Sequence, residues 1–211
     1  MPTPPSARSV RISDDERGGW SSDRPRRDGK TRPANISTRC HVLRPADRLR
    51  YSPGSLLVVV SASPDEREAF VERLVADRAS ILSLPKVRGL LAGRVSEEEM
   101  EERAEELLRA ALQKRLAASE TVVLIADGVE PADREPYIRM AAEAGRPRHV
   151  ILIETGRDQV ADEDRAALNE LRRALDAGEL GAEGVQTALR LGGGTAGEVK
   201  RLVFQPPPRE E

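Results

Sequence analysis

From Pro53-Gly54 onward, short continuous apolar runs alternate with longer stretches of helical periodicity. Residues 55–61 (SLLVVVS), 121–126 (TVVLIA) and 149–154 (HVILIE) are β-branched runs, the pattern of strands buried on both faces of a parallel sheet. Residues 80–83 and 200–204 are shorter strand candidates. Helices fall between them. Ser96 and Glu99 have the spacing of a capping box, and Met100, Ala104, Leu107, Leu108, Ala111, Leu112 and Leu116 then follow one helical face. Tyr137, Met140, Ala141 and Ala144 form a second face, stopped by Gly145 and Pro147, and Leu168, Leu171 and Leu175 a third that ends near Gly178. Strand–helix alternation with right-handed crossovers predicts an α/β fold with a doubly wound parallel sheet.

The ends of the chain read differently. Residues 1–47 scatter Pro2, Pro4, Pro5, Pro25 and Pro33 among Arg, Ser, Asp and Gly, with no apolar face to offset the entropy of ordering. They are expected to be a disordered tail, ahead of a domain at 48–204 and an extended C-terminal tail at 205–211. Residues 1–50 hold 12 Lys/Arg against 6 Asp/Glu, a balance of +6; the totals of 34 and 36 leave 22 minus 30, or −8, for the remainder. A basic tail thus precedes an acidic body. Its patch Arg24-Pro25-Arg26-Arg27-Asp28-Gly29-Lys30 offers a weak electrostatic contact to nucleic acid, but acids interrupt it and only Trp20 is near enough to stack.

Composition narrows the function classes. The longest apolar run, Leu56-Leu57-Val58-Val59-Val60, is far short of the roughly 20 residues that span a bilayer, so no membrane partner is expected. The lone Cys40 has no internal disulfide partner and residues 1–19 lack the apolar core of a secretion signal, which points to a cytoplasmic location. Asn35-Ile36-Ser37 is then a chance glycosylation match. His41 and His149, with one cysteine, give no zinc spacing, so no metal site is expected.

The turn after the first buried strand is the natural ligand site of such a fold, because helix N-terminal amides converge there. A phosphate loop needs Gly-x-x-x-x-Gly-Lys-Ser/Thr: glycines to curl round phosphate, Lys for charge, a hydroxyl for Mg²⁺. The window reads Ser61-Ala62-Ser63-Pro64-Asp65-Glu66-Arg67-Glu68. Both glycines are replaced, Arg67 stands at the Lys position and Glu68 at the hydroxyl position. Ser63 lies three residues before Glu66, a second capping box with Pro64 at the first helical position, so the helix start caps itself. Asp65, Glu66 and Glu68 suit the helix dipole while repelling a polyphosphate.

In the order of its segments, the region from about 53 to 204 resembles the P-loop kinase-type ATPase family related to polynucleotide kinases and zeta-toxin-like kinases. Ser83-Leu84-Pro85-Lys86-Val87-Arg88 resembles that family's substrate segment, Ser-x-Asp-x-x-Arg before a short helix; Arg88 matches and Pro85 replaces the catalytic Asp. Val122-Val123-Leu124-Ile125-Ala126-Asp127-Gly128, followed by Pro131-Ala132-Asp133-Arg134, resembles the third strand and its Pro-x-x-Arg. There Ile125, Asp127 and Gly128 replace Asp, Thr and Asn. His149–Thr155 resembles the fourth strand, and Glu183-Gly184-Val185 the family's Glu-Gly-Phe. The resemblance implies a three-layer α/β/α P-loop fold of the AAA-ATPase-like, kinase-like kind, with a degenerate Walker A loop. Scaffold positions match while chemical ones do not.

Asp127 remains the strongest candidate for chemistry, on the same strand face as Ile125 at the carboxyl end, where it could hold a metal; a turn residue before Gly128 is the favoured reading. Arg67, Arg88 and Arg134 could converge on an anion, although salt bridges to Glu66, Glu68 or Glu130 are favoured. The run Gly192-Gly193-Gly194-Thr195-Ala196-Gly197 has phosphate-loop glycines but Glu198-Val199 after them, and is expected to be a flexible turn into the last strand. Phosphoryl transfer is mostly positioning and electrostatics, and this chain replaces the loop, the hydroxyl and the base together. The leading expectation is therefore a pseudoenzyme that acts through a protein partner, with no cofactor. Two alternatives stay open. One is a divergent ATP/Mg²⁺-dependent kinase for a nucleic-acid end or a small-molecule hydroxyl, with Arg88 and Asp127 as its catalytic candidates and Ser61, Ser63, Arg67 and Glu68 at the nucleotide. The other is a nucleic-acid-binding adaptor working through the basic tail.

Overall fold

The computed structural model describes residues 48–192 and 195–206. The expectations for the N-terminal tail, the basic patch at 24–30, Asn35, Cys40 and His41 lie outside the described residues, as does the end of the C-terminal tail at 207–211. In chain order the strands are β1 (Leu49–Tyr51), β2 (Leu56–Val60), β3 (Ile81–Ser83), β4 (Val122–Ile125), β5 (Arg148–Ile153), β6 (Thr187–Leu191) and β7 (Leu202–Phe204). The helices are α1 (Pro64–Leu74), α2 (Leu84–Leu91), α3 (Glu97–Ala117), α4 (Glu135–Glu143), α5 (Asp164–Ala177) and α6 (Thr195–Glu198).

Five strands form one parallel sheet in the order β3-β4-β2-β5-β6. The strand that comes first in this sheet along the chain, β2, is central, with Leu56 in register with Val122 on one side and Arg148 on the other. Counting its strands along the chain, the order is 2-3-1-4-5. This differs from both the 3-2-1-4-5-6 order and the 2-1-3-4-5 order of other doubly wound sheets.

Side chains of β2 alternate between two cores, as a sheet covered on both faces requires. Leu56, Val58 and Val60 pack with Leu108, Leu112 and Leu116 of α3, Ile138 of α4 and Leu168, Leu171 and Leu175 of α5. Leu57 and Val59 pack with Phe70, Val71 and Leu74 of α1. The connection toward β3 carries its helix on one face, and the three that run the opposite way carry theirs on the other. Four crossovers of a single hand produce that division.

The run at 200–204 does not extend this sheet. Its strand β7 pairs with β1 in a separate two-stranded parallel sheet, Leu49 opposite Leu202. Leu49, Tyr51 and Leu202 bury themselves against the α1 face, which a single helix leaves partly uncovered. The strand actually added to the main sheet is β6, whose sequence TALRL alternates instead of running continuously apolar.

Local chemistry sets the helix ends. Ser63 accepts a hydrogen bond from the Glu66 amide at 3.3 Å, and Pro64 occupies the first turn of α1. Gly178 closes α5 in the left-handed conformation, φ 72°. The box expected at Ser96 forms differently: its hydroxyl donates to the Glu99 carboxylate at 3.0 Å and caps no amide. The buried face of α3 is Ala104, Leu108, Leu112 and Leu116, an i, i+4 row that turns Leu107 outward, 48% exposed. At the outer border of the main sheet, Lys86 Nζ donates to the carbonyl of Ile81 at 3.3 Å, which blunts the β3 edge.

His149 of β5 joins the two sheets. Its ring lies 4.7 Å from that of Tyr51, and its Nδ1 is 2.7 Å from the Thr187 hydroxyl. Burial, reinforced by the charge of Arg148, lowers its pKa to about 4. The unfolded chain therefore takes up a proton that the folded one refuses, and stability is lost as pH falls from 6.5 toward 4. Between pH 7.5 and 5 this group costs about 2 kcal/mol. Urea unfolding at the two pH values should show that loss, and His149→Gln should remove most of it; an equal loss in the variant would exclude His149 as the cause.

Candidate functional site

The carboxyl ends of β2, β4 and β5 meet beside the N-terminus of α1, where the order of connections reverses and ligands of open α/β sheets lie. Only Ser61, Ala62 and Ser63 separate β2 from α1. A phosphate loop takes twice that length to curl round its anion, so here the helix starts inside the window where the loop would be.

The short turn is closed by a directed chain of hydrogen bonds. The Ser63 amide donates to Ser61 Oγ at 3.2 Å, Ser61 Oγ lies 2.9 Å from Thr155 Oγ1, and Thr155 Oγ1 donates to Glu66 Oε2 at 2.9 Å. Because the Thr155 proton goes to the carboxylate, the Ser61 proton must go to Thr155. The expected Ser63–Glu66 box is thus half made: Ser63 caps the Glu66 amide, but the Glu66 carboxylate turns to Thr155 after β5. Each hydroxyl is engaged on both sides.

Arg67 is buried, 4% exposed, and reaches back across the strand ends instead of out into solvent. Its Nη1 donates to the Ser61 carbonyl at 3.0 Å and its Nη2 to the Asp127 carbonyl at 2.5 Å. The Asp127 carboxylate stands 3.9 Å away, and burial lowers the guanidinium pKa against the opposing pull of Asp127 and Glu68. The Nε of Arg67 has no partner among the described residues.

Asp127, just beyond β4, directs its carboxylate to Arg88 of α2, with Oδ2 2.9 Å from Nη2. Arg88 also forks onto Glu101 of α3, through Nε at 2.9 Å and Nη2 at 2.7 Å. The hydrogen bonds of Glu101 and then Asp127 raise the pKa of Arg88, so it stays charged. After Asp127 the chain turns tightly: a Cβ on Gly128 would lie 2.5 Å from Asp133 Oδ2, which accepts from the Glu130 amide at 2.9 Å. Burial first, then the neighbouring charges of Asp127 and Glu130, raises the pKa of Asp133.

Arg134 is buried as well. Its Nε and Nη2 clasp both carboxylate oxygens of Glu183 at 2.8 and 2.7 Å, while Nη1 donates to the Val129 carbonyl at 2.9 Å. Neither the anion cradle nor the expected bridges to Glu66, Glu68 or Glu130 is formed by the three arginines. Helix geometry explains this for Arg67: neighbours one residue away point in different directions, so Glu66 and Glu68 cannot meet its guanidinium while it crosses the sheet end. Sequence reading missed the partners that matter, Thr155, Glu101 and Glu183. Thr155 and Glu183 fell within resembling segments, the fourth strand and the Glu-Gly-Val triplet, but nothing there signalled their pairing with the turn or with Arg134.

A cleft of about 370 Å³ opens beside this cluster, lined by Glu68 and Glu72 of α1, Arg78, and Ser83, Pro85 and Lys86 at the start of α2. Ser83 caps α2 through the Lys86 amide at 3.3 Å. A narrower crevice, about 60 Å³, lies on the other side of β4 between Asp127, Asp133 and Tyr137. Within the glycine-rich run, Thr195–Glu198 form the four-residue helix α6, where a turn was expected; residues 193–194 lie outside the described residues. Arg73 of α1 holds α6 in place by donating to the carbonyls of Ala196 and Val199 at 2.7 and 2.6 Å. Among the described residues no group of three His, Cys, Asp or Glu could hold a metal ion, and no helix is long and apolar enough to cross a membrane.

No protein-family model matches the sequence, and no curated protein matches it.

The arginine ties carry a stability prediction. Arg134→Ala leaves the mostly buried Glu183 without its cation and should cost about 3 kcal/mol in urea unfolding. The double variant Arg134→Met/Glu183→Leu removes both charges and should recover most of that loss. A double variant no more stable than the single one would mean that packing, and not the stranded carboxylate, sets the cost.

Proposed function

We propose that this chain is a kinase-like P-loop-type domain without phosphoryl-transfer chemistry, which acts by binding another protein. The observation that carries the reading is the conformation of Arg67. The side chain at the Lys position of a phosphate loop spends both terminal nitrogens on bridging the Ser61 and Asp127 carbonyls. Its charge is directed at those two carbonyls.

Two further observations support this reading. The first turn of α1 is capped by Ser63 and carries Asp65 and Glu66, so its dipole already has anionic company. Arg88 and Asp127, the remaining candidates for catalysis, neutralise each other and draw in Glu101. A nucleotide at this site would have to break the hydroxyl chain from Ser63 to Glu66 and bring its phosphates against Glu66 and Glu68. The run of resembling segments, laid on an open parallel sheet, favours a kinase-type ancestry for the scaffold.

Calorimetric titration with Mg-ATP at millimolar concentration should give no saturable heat, and the melting temperature should not rise with nucleotide. Saturable binding that Asp127→Asn weakens would overturn the reading in favour of a divergent kinase.

A further inference from the structure

The reading above leaves the partner's chemistry open, and the small β1–β7 sheet supplies it. In this parallel pair the Leu49 amide donates to the Arg201 carbonyl at 3.2 Å and the Gln205 amide to the Tyr51 carbonyl at 2.9 Å. Residues 201, 203 and 205 thus spend their backbone groups on β1. Backbone groups alternate sides along a strand, so the N–H and C=O of Leu202 and Phe204 point to the opposite edge. No described strand pairs there. That edge instead forms one wall of a cleft of about 310 Å³, lined by 201–205 consecutively and closed by Val75, Asp77 and Ser80 at the far end of α1.

Four cations gather beside this edge, while Asp77 on the opposite wall of the cleft spends its carboxylate on the Ala79 amide at 2.9 Å. Leu49, Tyr51 and Leu202 face the core, so Arg48, Arg50 and Arg201 project from the outer face. Continuing the register by one residue sets Arg48 beside Arg201, and Lys200 is exposed next to them. None of the four cations has an ion-pair partner among the described residues. Like charges set side by side on neighbouring strands destabilise the pair. An anionic neighbour would relieve this cost, although the body of the domain is itself acidic.

We propose that the outer edge of β7 takes an acidic, extended peptide segment of a partner protein as a third strand of this sheet. The amide and carbonyl groups of Leu202 and Phe204, unpaired among the described residues, match a main chain, the cleft gives alternate side chains room, and Arg48, Arg50, Lys200 and Arg201 match carboxylates. A nucleic acid would satisfy the charge but has no alternating backbone donors and acceptors for the edge, and the aromatic rings of Tyr51 and Phe204 lie 6.0 Å apart against each other, not open for bases. The proposal rests on the interaction reading above and is tested apart from it.

The probe is a short, end-blocked peptide of alternating glutamate and valine, fluorescently labelled and titrated by anisotropy against the full chain. Saturable binding is expected, with slowed amide exchange at Leu202 and Phe204. Arg48→Glu/Arg201→Glu, both exposed positions, should weaken it by about tenfold or more. Methylating alternate backbone nitrogens of the peptide should abolish it. Equal binding of the methylated peptide would overturn strand addition, as would unchanged exchange at Leu202 and Phe204. Binding of oligothymidylate in place of the peptide would overturn it in favour of a nucleic-acid surface, and no saturable binding of either would overturn it outright. The two readings fail separately: peptide capture alongside Mg-ATP binding defeats only the pseudoenzyme, while silence toward both defeats only the strand addition.

Discussion

One buried guanidinium, that of Arg67, holds the carboxyl ends of β2 and β4 at their present separation. Strand ends in a parallel sheet leave carbonyls pointing into the space before the next helix. A ligand's counter-charge or a protein donor has to meet them, because a buried carbonyl without a partner costs about 1–3 kcal/mol. Here the side chain of α1 meets two of them at once. That contact spans the three-residue turn that Ser63 and Pro64 end, and Glu66, the residue before Arg67, bonds Thr155. The rest of the site follows from where this one cation lies.

Arginine serves the same purpose elsewhere. Arg134 links the turn after β4 to Glu183, Arg88 links β4 to α2 and α3, and Arg172 and Arg190 both bond Glu154 at the end of β5. Burial alone would raise the Glu154 pKa, but the two guanidinium partners outweigh it and hold the carboxyl below its ordinary value. A planar fork can bond carboxylates and carbonyls in several directions while remaining charged, which a lysine ammonium on its flexible stem does less well. The carboxyl side of this sheet is consequently a lattice of fixed charges. Such a surface is preorganised, but in favour of itself.

Much of the fold was legible in the residue pattern, because strands buried on both faces must be apolar at every position. The runs at 55–61, 121–126 and 149–154 leave few other structures open to them. β6 escaped because Thr187 and Arg190 interrupt its apolar residues, as the outermost position in the sheet allows. β1 escaped because three residues, one of them Arg50, carry no period. At the site, the self-capped start of α1 could be read from Ser63, Pro64 and Glu66, since capping is local. The partners of the arginines could not: Glu101 lies 13 residues from Arg88 and Glu183 lies 49 from Arg134, distances that only the tertiary fold closes.

The pairing of β1 with β7 has a consequence for how the molecule comes into being. Leu49 is made early and Leu202 late, yet neither strand has another neighbour among the described residues. During translation the five-stranded sheet can assemble as its crossovers emerge, while β1, its Tyr51 against His149, waits for a mate about 150 residues further along the chain. Closing so long a loop is slow and comes last. Until then the edge of β1 has no strand to pair with among the described residues, and the nascent chain has a clasp whose fastening reports that synthesis has passed residue 204.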